Sequence, residues 1–353
     1  MYWRDIRKKI KCNPRIDCIY LCLKSLRNID ECKKIIGIKR SPYSIEIKSY
    51  GDYAKDKWIY FINLDKQYNT NGFCSLLLYS LLHLAYADAF SFEPVVCWGE
   101  NTLYYDKAFS TMNNVFEYYF ENVSNVPVNK IHSCYRVTEA KGVDRDLFYL
   151  HNRYEQVQGE IERLALIVKK YIRLKPLIKD EFWDELCKFT GNRNTLGVHV
   201  RATDFNAGFD NHPKVVTPKE YLETTKDICS KYGFDRVFLA TDDAEVVCLF
   251  KETFGDSLYY YENSYRSLNG DPVHYGTKKN QREYHQYLLG IEIIKDIYTL
   301  GSCAGLVAGR SNVSECARII NKCNDYEYKV VEILDKGINR NHKKSRKKIR
   351  GKF

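Results

Sequence analysis

The stretch "LGVHVRATDF" (Leu196–Phe205) decides how the chain is read. Leu196, Val198 and Val200 alternate with Gly197 and His199, the period of two expected of a buried strand. The apolar pattern then stops at Arg201, Thr203 and Asp204, a cation and an anion that a strand does not need in order to fold. At the carboxyl end of a strand in an open parallel sheet, such groups stand where α/β proteins hold ligands.

The segments that follow make this strand the first of a series. A helix is expected over 218–232, with Pro218 in its first turn, then the strand "RVFLAT" (236–241) and a helix over 243–253. Next come "SLYYYE" (257–262), a polar loop 263–283, a helix over 284–300, the strand "AGLVAG" (304–309), a helix over 312–323 and the strand "YKVVEIL" (328–334). Upstream, "KWIYFINL" (57–64), the turn "DKQYNTNG", the run "FCSLLLYSLLHLAYADAF" (73–90) and "EPVVCW" (93–98) read as one β-α-β unit. A long charged amphipathic helix is expected around 151–178, closed by Pro176. The expected fold class is α/β, with two Rossmann-like domains facing a central cleft. The expected division is a helical basic segment 1–45, a first, acceptor-side domain 46–187, a second domain 188–336 and a basic tail 337–353.

Bulk properties limit the function classes. At 353 residues two domains are the default, and 44% hydrophobic with 14% aromatic residues is enough to fill both cores. The formal charge is +10, but Arg340, Lys343, Lys344, Arg346, Lys347, Lys348, Arg350 and Lys352 carry eight of those charges. The remaining body is near-neutral, about +2, which opposes a nucleic-acid-binding surface. The tail, and a basic helix with Tyr2, Trp3, Ile6 and Ile10 at helical spacing, suit an anionic membrane surface; solvated basic segments are the plainer reading. The thirteen cysteines include no C-x-x-C pair, and the amino terminus lacks the pattern of a secretory signal. Reduced thiols and a cytoplasmic location are therefore expected, peripheral to a membrane if the basic segments bind one.

Three strand ends of the second half carry polar groups: His199, Arg201, Thr203 and Asp204; Thr241, Asp242 and Asp243; and Arg310, Ser311 and Asn312. Each has a structural reading. "TDD" makes a good helix start, Asn312 with Glu315 a capping box, and Arg201 with Asp204 a local ion pair. Together they line one crevice. A helix start at Ser311–Val313 offers amides to an anion, Arg201 suits a diphosphate, and the carboxylates suit sugar hydroxyls or proton removal. That set fits sugar transfer from a nucleotide diphosphate. The chain has no Walker-type phosphate loop, and none of these strand ends carries an Asp-x-Asp of the kind metal-dependent sugar transferases use, so nucleotide hydrolysis and a metal are not expected.

The blocks "GVHVRATDF", "VFLATDDAEVV" and "GLVAGRSNVSECARII" resemble those of the α-1,6- and protein-O-fucosyltransferase superfamily, including its bacterial nodulation-type members. "NGFCSLLLYSLLHLAYADAFSFEPVVCW" is similar to its amino-proximal glycine-containing helix, so the resemblance spans roughly 57–325. It implies a GT-B-like fold, GDP-fucose as donor, inversion at the anomeric centre and no metal or other cofactor. It also implies that Arg201 contacts the β-phosphate, with His199 near the nucleotide and Asp296 on the guanine. Ser311, Asn312 and Val313 would meet the diphosphate, joined from the first domain by Asn71 and Gly72. Asp204 and Asp243 match essential acids, Thr241 and Asp242 lie beside them, and Asp210 is the nearest match to an acceptor base. The family's second arginine is Ala202 here, which leaves the linkage open. The expected function is fucosyl transfer to a glycan hydroxyl, such as a bacterial surface glycan or oligosaccharide. The alternatives are another donor or an α-1,2 linkage on the same fold, or a non-catalytic glycan- or nucleotide-binding protein.

Overall fold

The computed structural model describes residues 19–20, 22–23, 25, 28–40, 46–65, 71–109, 114–139, 159–191, 194–201, 213–267 and 282–339. The first half contains α1 (Ile29–Arg40), β1 (Glu46–Lys48), β2 (Ile59–Leu64), α2 (Phe73–Ala89), β3 (Glu93–Trp98), α3 (Phe116–Tyr119), β4 (Val137–Glu139) and α4 (Glu160–Tyr171). The second contains α5 (Pro176–Thr190), β5 (Thr195–Val200), α6 (Pro218–Tyr232), β6 (Arg236–Thr241), α7 (Ala244–Phe254), β7 (Leu258–Tyr259), α8 (His285–Ser302), β8 (Gly305–Gly309), α9 (Asn312–Cys323) and β9 (Val330–Leu334).

The β-α-β unit forms as read, with β2 parallel to β3 from Ile59↔Glu93 to Leu64↔Trp98. Two three-residue strands absent from the sequence reading complete that sheet, in the order β1-β4-β2-β3, with β1 antiparallel at the edge. The second sheet has the order β7-β6-β5-β8-β9 and is parallel throughout. Every residue of β5 is buried, as a strand covered on both faces requires. The chain steps outward from β5 to β6 and β7, crosses through α8 to β8, then steps out to β9. The crevice between β5 and β8 is therefore the topological switch point, where ligands of such sheets bind.

One face of this sheet packs Leu196, Val198, Val237 and Leu239 against Tyr221 of α6 and Phe250 of α7. The opposite face joins a core running through Ile294 and Ile319 to Leu76 and Ile62 of the first half. α2 sits inside that core and is buried on nearly every side, as an all-round apolar helix must be. α5 packs on the second sheet through Phe189 against Phe238, ring centroids 5.6 Å apart.

Two local expectations are corrected. The helix expected to run to Pro176 ends at Tyr171, and Pro176 instead occupies the first turn of α5. Proline reads both as a stop and as a helix opener, because the amide it lacks is unpaired in a first turn anyway. The cap of α9 is Ser311 with Ser314, not Asn312 with Glu315. α6 opens on a capping box, Thr217 with Glu220, that the sequence reading did not single out. Every described cysteine is a free thiol. No helix among the described residues is long and apolar enough to cross a membrane.

Candidate functional site at the switch point

β5 carries His199 to the carboxyl end of the sheet, level with Ala308 of β8. The imidazole is buried, and its Nδ1 lies 3.4 Å from the Ser311 hydroxyl. Ser311 caps α9: its Oγ accepts from the Ser314 amide at 3.1 Å, and the Ser314 Oγ accepts in return from the Ser311 amide at 3.2 Å. The Ser314 hydroxyl also donates to the Gly309 carbonyl at 2.9 Å, which ties the helix start to the end of β8. The first turn, with Asn312 and Val313 partly buried, presents backbone amides that α-helical geometry leaves without an acceptor inside the helix.

Arg201 follows β5 and is partly buried. Burial and Glu220 push the Tyr221 phenol up, and the Arg201 charge opposes them. Tyr221 in turn reaches the end of β8. A Cβ at Gly309 would lie 2.2 Å from its hydroxyl, so only glycine leaves room for the phenol there. Arg310 turns away from the crevice to pair with Asp335 at 3.0 Å.

The neighbouring strand adds a second polar group. Thr241 stands level with Val200 and accepts from the Asp243 amide through its Oγ1 at 3.3 Å. Asp243 caps α7, its carboxylate accepting from the Glu245 amide at 2.8 Å. The carbonyl of Asp242 accepts from the Ser267 amide at 2.9 Å, which folds the loop after β7 against this strand end. In that loop Arg266 donates to the carbonyls of Tyr261 at 2.8 Å and Ser264 at 3.2 Å.

Asp296 of α8 faces the same region and is partly buried rather than solvated. Burial pushes its carboxyl up to about 7; Arg266 and Lys295 oppose the shift, while Glu292 and Asp242 add to it. Glu292 holds the Tyr265 amide at 3.0 Å and pairs with Arg282 at 2.7 Å.

From the first half, Asn71 donates to the Ser75 hydroxyl at 3.4 Å, and Gly72 caps α2 in extended backbone. A Cβ at Gly72 would meet nothing closer than the Tyr104 hydroxyl at 3.9 Å, so packing does not demand glycine there. The starts of α2 and α9 adjoin, the Cys316 thiol lying 3.8 Å from the Cys74 carbonyl.

The structure thus gathers His199, Arg201 and Ser311–Val313 at the switch point, with Asn71 and Gly72 on the adjoining helix start. Thr241, Asp242 and Asp296 form a second group one strand over. Asp243 is turned to its helix. Asp204 and Asp210 lie outside the described residues. Sequence reading missed Tyr221, whose place depends on a missing side chain far along the chain, and missed Arg266, which lay in a segment read only as a polar loop. Among the described residues no three His, Cys, Asp or Glu side chains are placed to hold a metal ion.

No protein-family model and no curated protein matches the chain significantly. Solved structures similar to it include fucosyltransferases. NodZ α-1,6-fucosyltransferase soaked with GDP-fucose is 15% identical over 75% of this chain and 92% of that one, with a TM-score of 0.44. Fucosyltransferase NodZ from Bradyrhizobium is 16% identical over 74% and 92%, TM-score 0.42. POFUT1 in complex with GDP is 12% identical over 79% and 98%, TM-score 0.38.

Proposed function

We propose that the chain is an inverting, metal-independent glycosyltransferase that moves fucose from GDP-fucose to a hydroxyl of a glycan acceptor. The observation that carries this reading is the meeting, at one topological switch point, of Arg201, the His199–Ser311 contact and the start of α9. A cation and a helix start at that place suit a diphosphate leaving group. The three sequence blocks that supply these residues resemble those of fucosyltransferases.

In the proposed reaction the acceptor oxygen attacks the anomeric carbon of fucose as the bond from that carbon to the β-phosphate oxygen breaks. The electron pair leaves with GDP, and Arg201 and the first-turn amides of α9 take up the charge. The hydroxyl proton passes to a carboxylate, Asp210 or Asp204 in this reading. Asp242 and Asp296 hold the nucleoside side of the donor, Asn71 and Gly72 approach the diphosphate, and Asp243 serves through the geometry of the α7 start. The basic tail supplies attraction to anionic membrane surfaces, where glycan acceptors are assembled on lipid.

The test is GDP release by the purified chain from GDP-fucose, compared with GDP-mannose, UDP-glucose and other donors, with and without glycan acceptors. GDP release from GDP-fucose above all other donors, with a fucosylated product, is expected. Equal or greater turnover of another donor overturns the choice of sugar, and binding without turnover of any donor overturns the enzyme.

A further inference from the structure

We propose that the junction between the two halves at the start of α8 is a sugar-binding platform for the acceptor, centred on Tyr284. This rests on the transferase reading above and names a subsite that reading leaves open.

Tyr284 immediately precedes α8 and has φ 55°, left-handed backbone that glycine adopts far more easily than an aromatic residue. The residue is nevertheless 43% exposed instead of being packed away. The ring meets Phe109, from the loop after β3, at 5.8 Å and 67°. Phe109 in turn lies 4.6 Å from Tyr287 and 5.2 Å from Tyr118. These rings join the loop after β3 of the first half to the start of α8 in the second. Both elements lie beyond the carboxyl ends of their parallel strands, on the side where the switch point opens.

Two carboxylates flank the exposed ring. Glu283 is hydrogen-bonded to the Tyr284 phenol and raises it. Asp106 adds to that shift, and its charge also acts on Tyr118 and on His285. An exposed aromatic face beside carboxylates suits the C–H face and the hydroxyls of a neutral sugar, and it repels an anionic one. Protein-binding surfaces favour larger apolar patches than a single half-exposed ring provides.

The experiment uses the full chain and an array of printed neutral and acidic glycans, followed by solution titration of the neutral oligosaccharides that bind, each as a one- to five-unit series. Binding is expected to fall at least tenfold in Tyr284→Ala and Tyr284→Gly, and to stay within threefold in Tyr284→Phe. Tyr284→Gly also relieves the left-handed backbone, so its thermal midpoint reports whether the fold survives. Donor hydrolysis, read as GDP release without acceptor, should be unchanged in all three variants. Unaltered glycan binding in Tyr284→Ala, preference for acidic glycans, or no binding anywhere on the array overturns the platform. Absence of GDP release from any donor by the unaltered chain, with or without acceptor, overturns the transferase reading instead.

Discussion

The carboxyl ends of the two sheets are both polar, yet they use their polar groups differently. At the first sheet they pair with each other. Asp65 takes the Asn101 amide at 3.0 Å and its side-chain nitrogen at 2.9 Å, Asn63 donates to Glu139 at 3.2 Å, and Asn114 bridges the Val96 carbonyl and Glu117 at 2.9 and 2.8 Å. At the second sheet the groups are arranged around helix starts and a crevice. Ser311 and Asp243 cap α9 and α7, and the charge of Arg201, at the end of β5, acts on Tyr221 of α6. Polar residues that satisfy one another hold a loop in place; under the proposed function, those gathered at the switch point also face the donor. Substitutions in the two groups should therefore separate stability from chemistry.

Arg201→Ala should show the largest effect. Removing a preorganised cation from a departing diphosphate is expected to lower turnover by at least about 10²–10³-fold, with little change in thermal midpoint. Steady-state GDP release beside a melting curve checks both. Retained turnover would remove Arg201 from the chemistry and return it to a structural role with Tyr221.

Next in size is a pH effect at Asp296. Its folded-state carboxyl titrates near 7, above its ordinary value of 3.8. Between those values the folded chain binds more protons than the unfolded one, so stability falls as pH rises through that window. Asp296→Asn removes the charge that burial opposes. The variant should melt higher than the unaltered chain at pH 8, by on the order of 2 kcal/mol once partial exposure is allowed for, and the gap should narrow below pH 7 and close only towards pH 4. If Asp296 also holds the donor, the same variant binds GDP-fucose less tightly at pH 8. A gap as large at pH 4 as at pH 8 would show that the carboxyl is not the group being titrated.

How much of this was legible in the sequence depends on where each feature stores its information. β2, β3, β5, β6 and β8 read directly, because burial forces continuous or alternating apolar runs in their own residues. β1 and β4 did not, because three residues carry no period and their pairing is long-range. Arg201, His199 and Ser311 stood out as polar groups at apolar strand ends. That His199 and Ser311 touch depends on β5 and β8 being neighbours, which only the topology supplies. Tyr221 was illegible for a related reason, since its position is permitted by the hydrogen of Gly309. The cap of α9 was misplaced by one residue because Ser311 and Asn312 are both good caps, and Glu315 stands at the right spacing only from the wrong one.

The mirror of Arg201 at the first sheet is Asp65. Asp65→Ala removes a carboxylate that accepts from both nitrogens of Asn101 and closes the turn after β3. A stability loss of about 1.5 kcal/mol is expected, with donor affinity unchanged. Chemical denaturation and GDP-fucose titration give the two readings. A loss of donor affinity without a loss of stability would mean that the first sheet's polar end also serves the ligand, and the contrast between the two sheets would collapse.

The smallest effect tests the acid that sits on the line between the two uses. Asp243 belongs to the "ATDD" block, yet its carboxylate accepts from the Glu245 amide at 2.8 Å as the cap of α7. Asparagine caps a helix about as well as aspartate, whereas alanine costs about 1 kcal/mol. Asp243→Asn should therefore keep the thermal midpoint, and Asp243→Ala should lower it. If turnover follows stability, falling in the alanine variant and surviving in the asparagine one, Asp243 acts by fixing the start of α7 beside Asp242. If turnover falls equally in both while only alanine destabilises, the negative charge itself reaches the donor or acceptor, and Asp243 joins Arg201 on the chemical side of the comparison.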